Sequence, residues 1–302
     1  MATTQVLDLL LQDGADYEST VGVLGLLYAS AAVHAGAAYR RTPPAKLRAR
    51  RLTGSLFAAS ALRSLGFLAF ALVTHTARSR LLAKGVVLLF DVPDFVVVSN
   101  YTLLIVVWFE AFLDARRHWL DRRTYRWHWR AAYFGLNVGL VSAMVLLYAL
   151  ILFGGPRLDG VRYTYVLLAA VSLAVPLAHA GLYVTLSLRF AAFPLRGGDG
   201  AERAHRSRVV VAWACGRALW GVAVAVACAP ARRLPAWARD DPQRGGVALA
   251  ALFLFAEVCP FVLALDSGFL RLVDADAAAA GPPAAYGTAP AAPRVESSES
   301  FV

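Results

Sequence analysis

Six ionisable side chains stand inside otherwise apolar stretches: Arg63, Asp91, Asp94, Glu110, Arg217 and Glu257, with His34, His75 and His179 as weaker members of the set. In such surroundings each charge costs several kcal/mol unless it is paired or serves an ion or ligand. Asp91 and Asp94 are three residues apart, on neighbouring positions of one helix face. Pro93 between them frees a carbonyl one turn earlier and is expected to kink or break the helix. The acids and the two arginines admit two readings: interhelical pins that fix packing, or a ligand or ion site. A third places the charges at the interface, as expected for Glu110, which is followed by Asp114 and Arg116. Arg63 is expected to pair with Asp91, because their segments are consecutive and joined by a short connection.

Residue types that support catalysis are not assembled. A retinal Schiff base needs a lysine in the bundle, and the only lysines, Lys46 and Lys84, stand in connections. A zinc hydrolase needs grouped histidines with a carboxylate, whereas His34, His75 and His179 are scattered without a His-x-x-x-His pair. No serine sits in a nucleophile elbow, and no Gly-rich phosphate loop is present. Cys215, Cys228 and Cys259 lie within apolar runs as small hydrophobes rather than a disulfide framework. A non-enzymatic protein with no cofactor and no metal is expected.

The elements that position these residues are long and apolar. Of 302 residues, 59% are hydrophobic and 17% charged, with a mean hydropathy of +0.56, too apolar for a soluble domain. Runs at about 19–39, 53–75, 85–113, 131–153, 163–188, 209–230 and 246–265 are long enough to cross a hydrocarbon layer of ~30 Å as helices. Helices satisfy their own backbone groups there. The expected fold is all-α, a polytopic bundle of seven transmembrane helices over 19–270. A short acidic non-cytosolic N-terminus (1–18) precedes it, and a disordered Ala/Pro-rich cytosolic tail (277–302) follows. No cleavable leader is expected, because Asp8, Asp13, Asp16 and Glu18 stand where a basic n-region would be.

Charge distribution orients the bundle. The connections after the first, third and fifth runs, with the tail, hold nineteen Lys and Arg, against nine on the other side. The positive-inside rule therefore puts the N-terminus outside or in a lumen and the C-terminus in the cytosol. The net charge of +10 suits anionic lipid head groups, not nucleic acid, since the basic residues sit where topology alone places them. Trp108, Trp119, Trp127 and Trp129 suit interfacial anchoring, and Gly135-x-x-x-Gly139 permits close helix approach. The sequon Asn100-Tyr101-Thr102 lies mid-span, out of reach of glycosylation. At the C-terminus, Ser300 and Val302 form a candidate PDZ ligand.

The third run carries a family signature. Leu89-Phe90-Asp91-Val92-Pro93, Tyr101-Thr102-Leu103-Leu104, Trp108-Phe109-Glu110 and Ala115-Arg116 resemble the pattern of the plant tobamovirus multiplication proteins. Those are seven-span proteins similar in pattern to animal adipocyte-associated transmembrane proteins. Arg63, Arg217 and Glu257-Val258-Cys259-Pro260 are similar to further family positions, whereas Asp94 and Asp114 depart from the pattern. The resemblance implies an endomembrane (vacuolar-type) location, a plasma membrane being the alternative. It also implies recruitment by tobamoviral replication complexes and association with a small Arf-like GTPase. The leading expectation is a seven-span scaffold or receptor-like protein that recruits partners through its basic cytosolic loops. The alternatives are a proton- or cation-coupled transporter using Asp91, Asp94 and Glu257, and a G-protein-coupled receptor.

Overall fold

In the computed structural model, residues 14–76, 80–116, 122–153, 160–189, 200–227 and 242–273 are described, and within them every regular element is helical. The long helices are α1 (Gly14–Arg41), α2 (Leu47–Thr76), α3 (Arg80–Arg116), α4 (Arg122–Phe153), α5 (Gly160–Arg189) and α6 (Gly200–Ala227). A composite stretch follows: α7 (Pro242–Phe253), a π-helical turn (Leu254–Val258), α8 (Cys259–Ala264) and the short α9 (Ser267–Val273). The N-terminal tail before Gly14 and the tail with Ser300 and Val302 lie outside the described residues.

Among the described residues five stretches are long and apolar enough to cross a membrane: Ser19–Arg41, Leu47–Ala71, Leu89–Phe109, Val166–Arg189 and Gly245–Ala264. α4 adds a further apolar stretch, Arg130–Leu146, among the described residues, and α6 carries Arg217. The chain is a multi-pass membrane protein. Its outward surface is correspondingly apolar, with Leu26, Val33, Phe134 and Leu188 exposed. That is a liability in water and the expected condition in lipid.

The most extensive neighbours are α1 with α2, α5 with α6, and α2 with α3. The main core gathers Leu24, Tyr28, Leu56, Phe67, Tyr101, Trp108, Trp213 and Phe261 from across the bundle. A smaller cluster of Phe95, Tyr148 and Leu168 ties α3 to α4 and α5. α3 is the most enclosed span, and two stripes on it face different neighbours. Asp94, Tyr101 and Trp108, spaced by seven, point into the main core, while Phe95 faces the smaller cluster. Trp108 is therefore a core residue and not the interfacial anchor expected from sequence: it is fully buried against Tyr183 and His179. Trp127 is exposed as an anchor would be.

Pro93 does not break α3, which stays helical throughout. Proline removes an N–H and crowds the preceding turn, depriving the carbonyl of Leu89 of its helical donor, and the next carbonyl, that of Phe90, accepts from Arg63 Nη1. Pro260 has the larger effect. It cannot donate, and its ring presses on the carbonyl of Ala256, so the helix ahead of it widens into the π turn. There Cys259 N–H donates to Leu254 O, five residues back.

Gly135 and Gly139 meet no close neighbour among the described residues, since a Cβ at either would meet nothing within 4 Å. Close approach occurs instead at Gly216, where a Cβ would lie 2.6 Å from the Pro260 ring and 3.0 Å from Ala256 O. Gly221 does the same against α5, 2.9 Å from Leu173.

Candidate functional site

The fold draws four of the expected charges into one buried network. Arg63 on α2, Asp94 on α3, Arg217 on α6 and Glu257 on the π turn are each no more than 2% exposed. Arg63 Nη2 reaches Asp94 Oδ1 at 2.7 Å and Glu257 Oε1 at 2.8 Å, and its Nε donates to Glu257 Oε2 at 3.1 Å. Arg217 mirrors it, with Nη2 at 2.8 Å from Asp94 Oδ1 and Nη1 at 2.8 Å from Glu257 Oε1. Two guanidinium groups thus face two carboxylates, and the network is neutral.

Neighbours complete the bonding. Tyr28 on α1 donates its hydroxyl to Glu257 Oε2 at 2.5 Å. Trp220 Nε1 donates to Asp94 Oδ2 at 3.2 Å, and Arg217 Nη2 donates to Ser172 Oγ on α5 at 3.1 Å. All four carboxylate oxygens therefore accept from protein donors. The Arg63 guanidinium also lies over the rings of Trp220 (5.3 Å), Phe253 (5.7 Å) and Phe90 (5.9 Å), a cation–π surround in place of water. The network joins α1, α2, α3, α5, α6 and the π turn.

Local structure explains these positions. Gly216 lets α6 meet the Ala256–Pro260 turn at backbone distance, which carries the adjacent Arg217 to Glu257. The wider π turn sets Glu257 toward the bundle interior. On α3, Phe90 and Asp94 are one turn apart and both meet Arg63.

One expected pairing is corrected: Arg63 binds Asp94 and Glu257, not Asp91. Asp91 is buried as well, but the helical register places it one turn before Phe95, on the side of the smaller cluster. The partners Tyr28, Ser172 and Trp220 were not anticipated. The only signal for them is general: a buried phenol or indole seeks a partner for its polar tip.

Other family positions that are described make helix and packing contacts. Tyr101 donates its hydroxyl to Trp213 O at 2.6 Å. Thr102 bonds back to Ser99 O at 2.8 Å, and Pro93 and Pro260 shape their helices. Glu110 and Arg116 fall near the end of α3, with side chains outside the described set. His34 is exposed and His179 is fully buried. Among the described residues no group of three His, Cys, Asp or Glu is placed to hold a metal ion.

No curated protein and no solved structure matches this chain. A family model does: the THH1/TOM1/TOM3 domain matches residues 41–265, from the end of α1 to the end of the last apolar helix. That range contains Arg63, Asp94, Arg217 and Glu257 of the network, and the chain belongs to the THH1/TOM1/TOM3 family, the tobamovirus multiplication proteins.

Proposed function

We propose that this protein is a non-enzymatic seven-span scaffold or receptor-like membrane protein that recruits cytosolic partners through its basic loops. In this reading α4 and α6 cross along with the other five apolar stretches, the N-terminus is outside, and the C-terminus is cytosolic. The observation that carries the reading is the closed network. Every oxygen of Asp94 and Glu257 is held by an arginine, a tyrosine or a tryptophan. A transported cation would have to displace an arginine from a site with almost no solvent access. A network of this kind holds helices in one arrangement, the specificity role buried ion pairs serve where they add little net stability.

The family supports the same reading, with a small Arf-like GTPase and anionic lipid head groups as the proposed partners of the basic loops. A vacuolar-type endomembrane is the proposed location. The test is flux in proteoliposomes. The purified protein should move neither protons nor monovalent cations above protein-free vesicles. Flux that Asp94→Asn abolishes would establish the transporter instead.

A further inference from the structure

A cleft of about 350 Å³ runs along α3 between α2 and α4, away from the charge network. Its length follows from register: Val92 to Leu103 on α3, and Tyr133 to Met144 on α4, are twelve residues each, or ~16 Å along the helices. Apolar side chains including Val92, Phe95, Leu140 and Met144 line one part of it. The middle is polar, and most of that polarity is already spent. Ser99 hydrogen-bonds Asn137 Oδ1 and lies 3.3 Å from the Tyr133 hydroxyl, while Asn137 Nδ2 donates to Tyr133 O.

Asn100 is different. Its Oδ1 accepts from Ser55 at 2.7 Å, but its Nδ2, on a residue 4% exposed, has no partner among the described residues. A buried amide N–H without an acceptor is costly and asks for one. Among the described residues that line the cleft, Arg51 alone is charged; it stands one helical turn before Ser55 and near the start of the α2 span. At that depth an arginine extends its guanidinium to head-group level.

We propose that the cleft binds one anionic glycerophospholipid of the surrounding bilayer. Arg51 holds the phosphate, Asn100 Nδ2 donates to an acyl ester carbonyl, and one acyl chain runs past Phe95 and Leu140 to Met144. The order of groups along the cleft (cation, unused donor, apolar channel) is the order of phosphate, ester and chain in such a lipid. The separation of about one turn between Arg51 and the Ser55–Asn100 pair, ~6 Å, suits a glycerol unit. The inference rests on α2 and α3 spanning the membrane, not on the scaffold reading. Flux would leave it intact, and its failure would leave the scaffold reading intact.

The test counts lipids retained by the purified full-length protein in native mass spectrometry, after titration with phosphatidylglycerol or phosphatidylcholine of the same acyl chains. One phosphatidylglycerol should be retained with about fivefold preference, the equivalent of the ~1 kcal/mol of one arginine near a lipid phosphate. Arg51→Gln, at an exposed position, should erase that preference. Leu140→Trp should block retention of either lipid, and the ether-linked analogue, lacking the carbonyl, should bind severalfold more weakly. A photoreactive group at the acyl terminus should label peptides containing Met144 or Val92 in the unmodified protein, which covers the case of a variant that does not fold. Equal retention of both head groups, an unchanged preference in Arg51→Gln, equal binding of ester and ether lipids, or labelling confined to other helices would overturn the proposal.

Discussion

Glu257 accepts from Tyr28, Arg63 and Arg217, side chains from three helices, and it sits where both arginines converge. Removing its charge leaves two buried guanidinium groups against Asp94 alone. Glu257→Gln is therefore expected to lower stability by about 3–5 kcal/mol, the range for breaking a buried ion pair from one side. The unfolding midpoint of the detergent-purified protein reads this directly. Tyr28→Phe should cost less, roughly 1–3 kcal/mol, because the two arginines still hold the carboxylate. A double-mutant cycle on Arg63 and Asp94 should give a coupling above ~1 kcal/mol, and the same cycle on Arg63 and Asp91 a much smaller one. The reverse order would return the pairing to Asp91. Sequence placed both acids in the same turn of one helix, but three residues of register decide which neighbour each acid meets.

At the scale of elements, the last apolar helix and α6 depend on each other. Pro260 opens the π turn, the turn presents Glu257, and Gly216 makes room for the turn. Gly216→Ala would press a methyl into the Pro260 ring and the carbonyl of Ala256, and Gly221→Ala into Leu173 and the backbone beside it. Each is expected to destabilise by about 1–3 kcal/mol, as overpacking does. Gly135→Ala and Gly139→Ala on α4 meet open space and should be neutral or stabilising by up to ~1 kcal/mol, the helix-propensity gain of alanine. Thermal unfolding of the four variants separates the groups. Equal effects at all four positions would remove Gly216 and Gly221 from the packing interface. The spacing of Gly135 and Gly139 reports only that an approach is permitted, and among the described residues the approach is made at Gly216 and Gly221.

At the scale of the whole molecule, the proposed topology puts the two chain ends on opposite sides. A reporter fused before Met1 should read lumen or exterior, and one fused after Val302 should read cytosol. Both ends on one side would mean an even number of crossings and would sink the seven-span reading. Among the described residues five stretches satisfy length and hydropathy by themselves. α4 carries its arginines and aromatics in its first turns and is apolar from there to Phe153, while α6 carries one buried arginine, Arg217, which Asp94 and Glu257 neutralise. An arginine neutralised inside the bundle costs a crossing helix far less than one that faces lipid.

The amino-acid sequence by itself determined that the chain is helical, membrane-embedded and of this family, and that Arg63, Asp91, Asp94, Glu110, Arg217 and Glu257 are charges within apolar stretches that must be paired, put to use or set at the interface. Those properties are local: an apolar run of sufficient length must be a helix in lipid, and a charge within it must be neutralised. Partner choice was decided only in the tertiary structure. Arg63 and Glu257 are 194 residues apart, and their meeting depends on the register of α3, the widened turn before Pro260 and the bare backbone at Gly216. The donor left unused at Asn100 was likewise invisible beforehand. An unsatisfied group is defined by what surrounds it, and that is set only when α2, α3 and α4 come together.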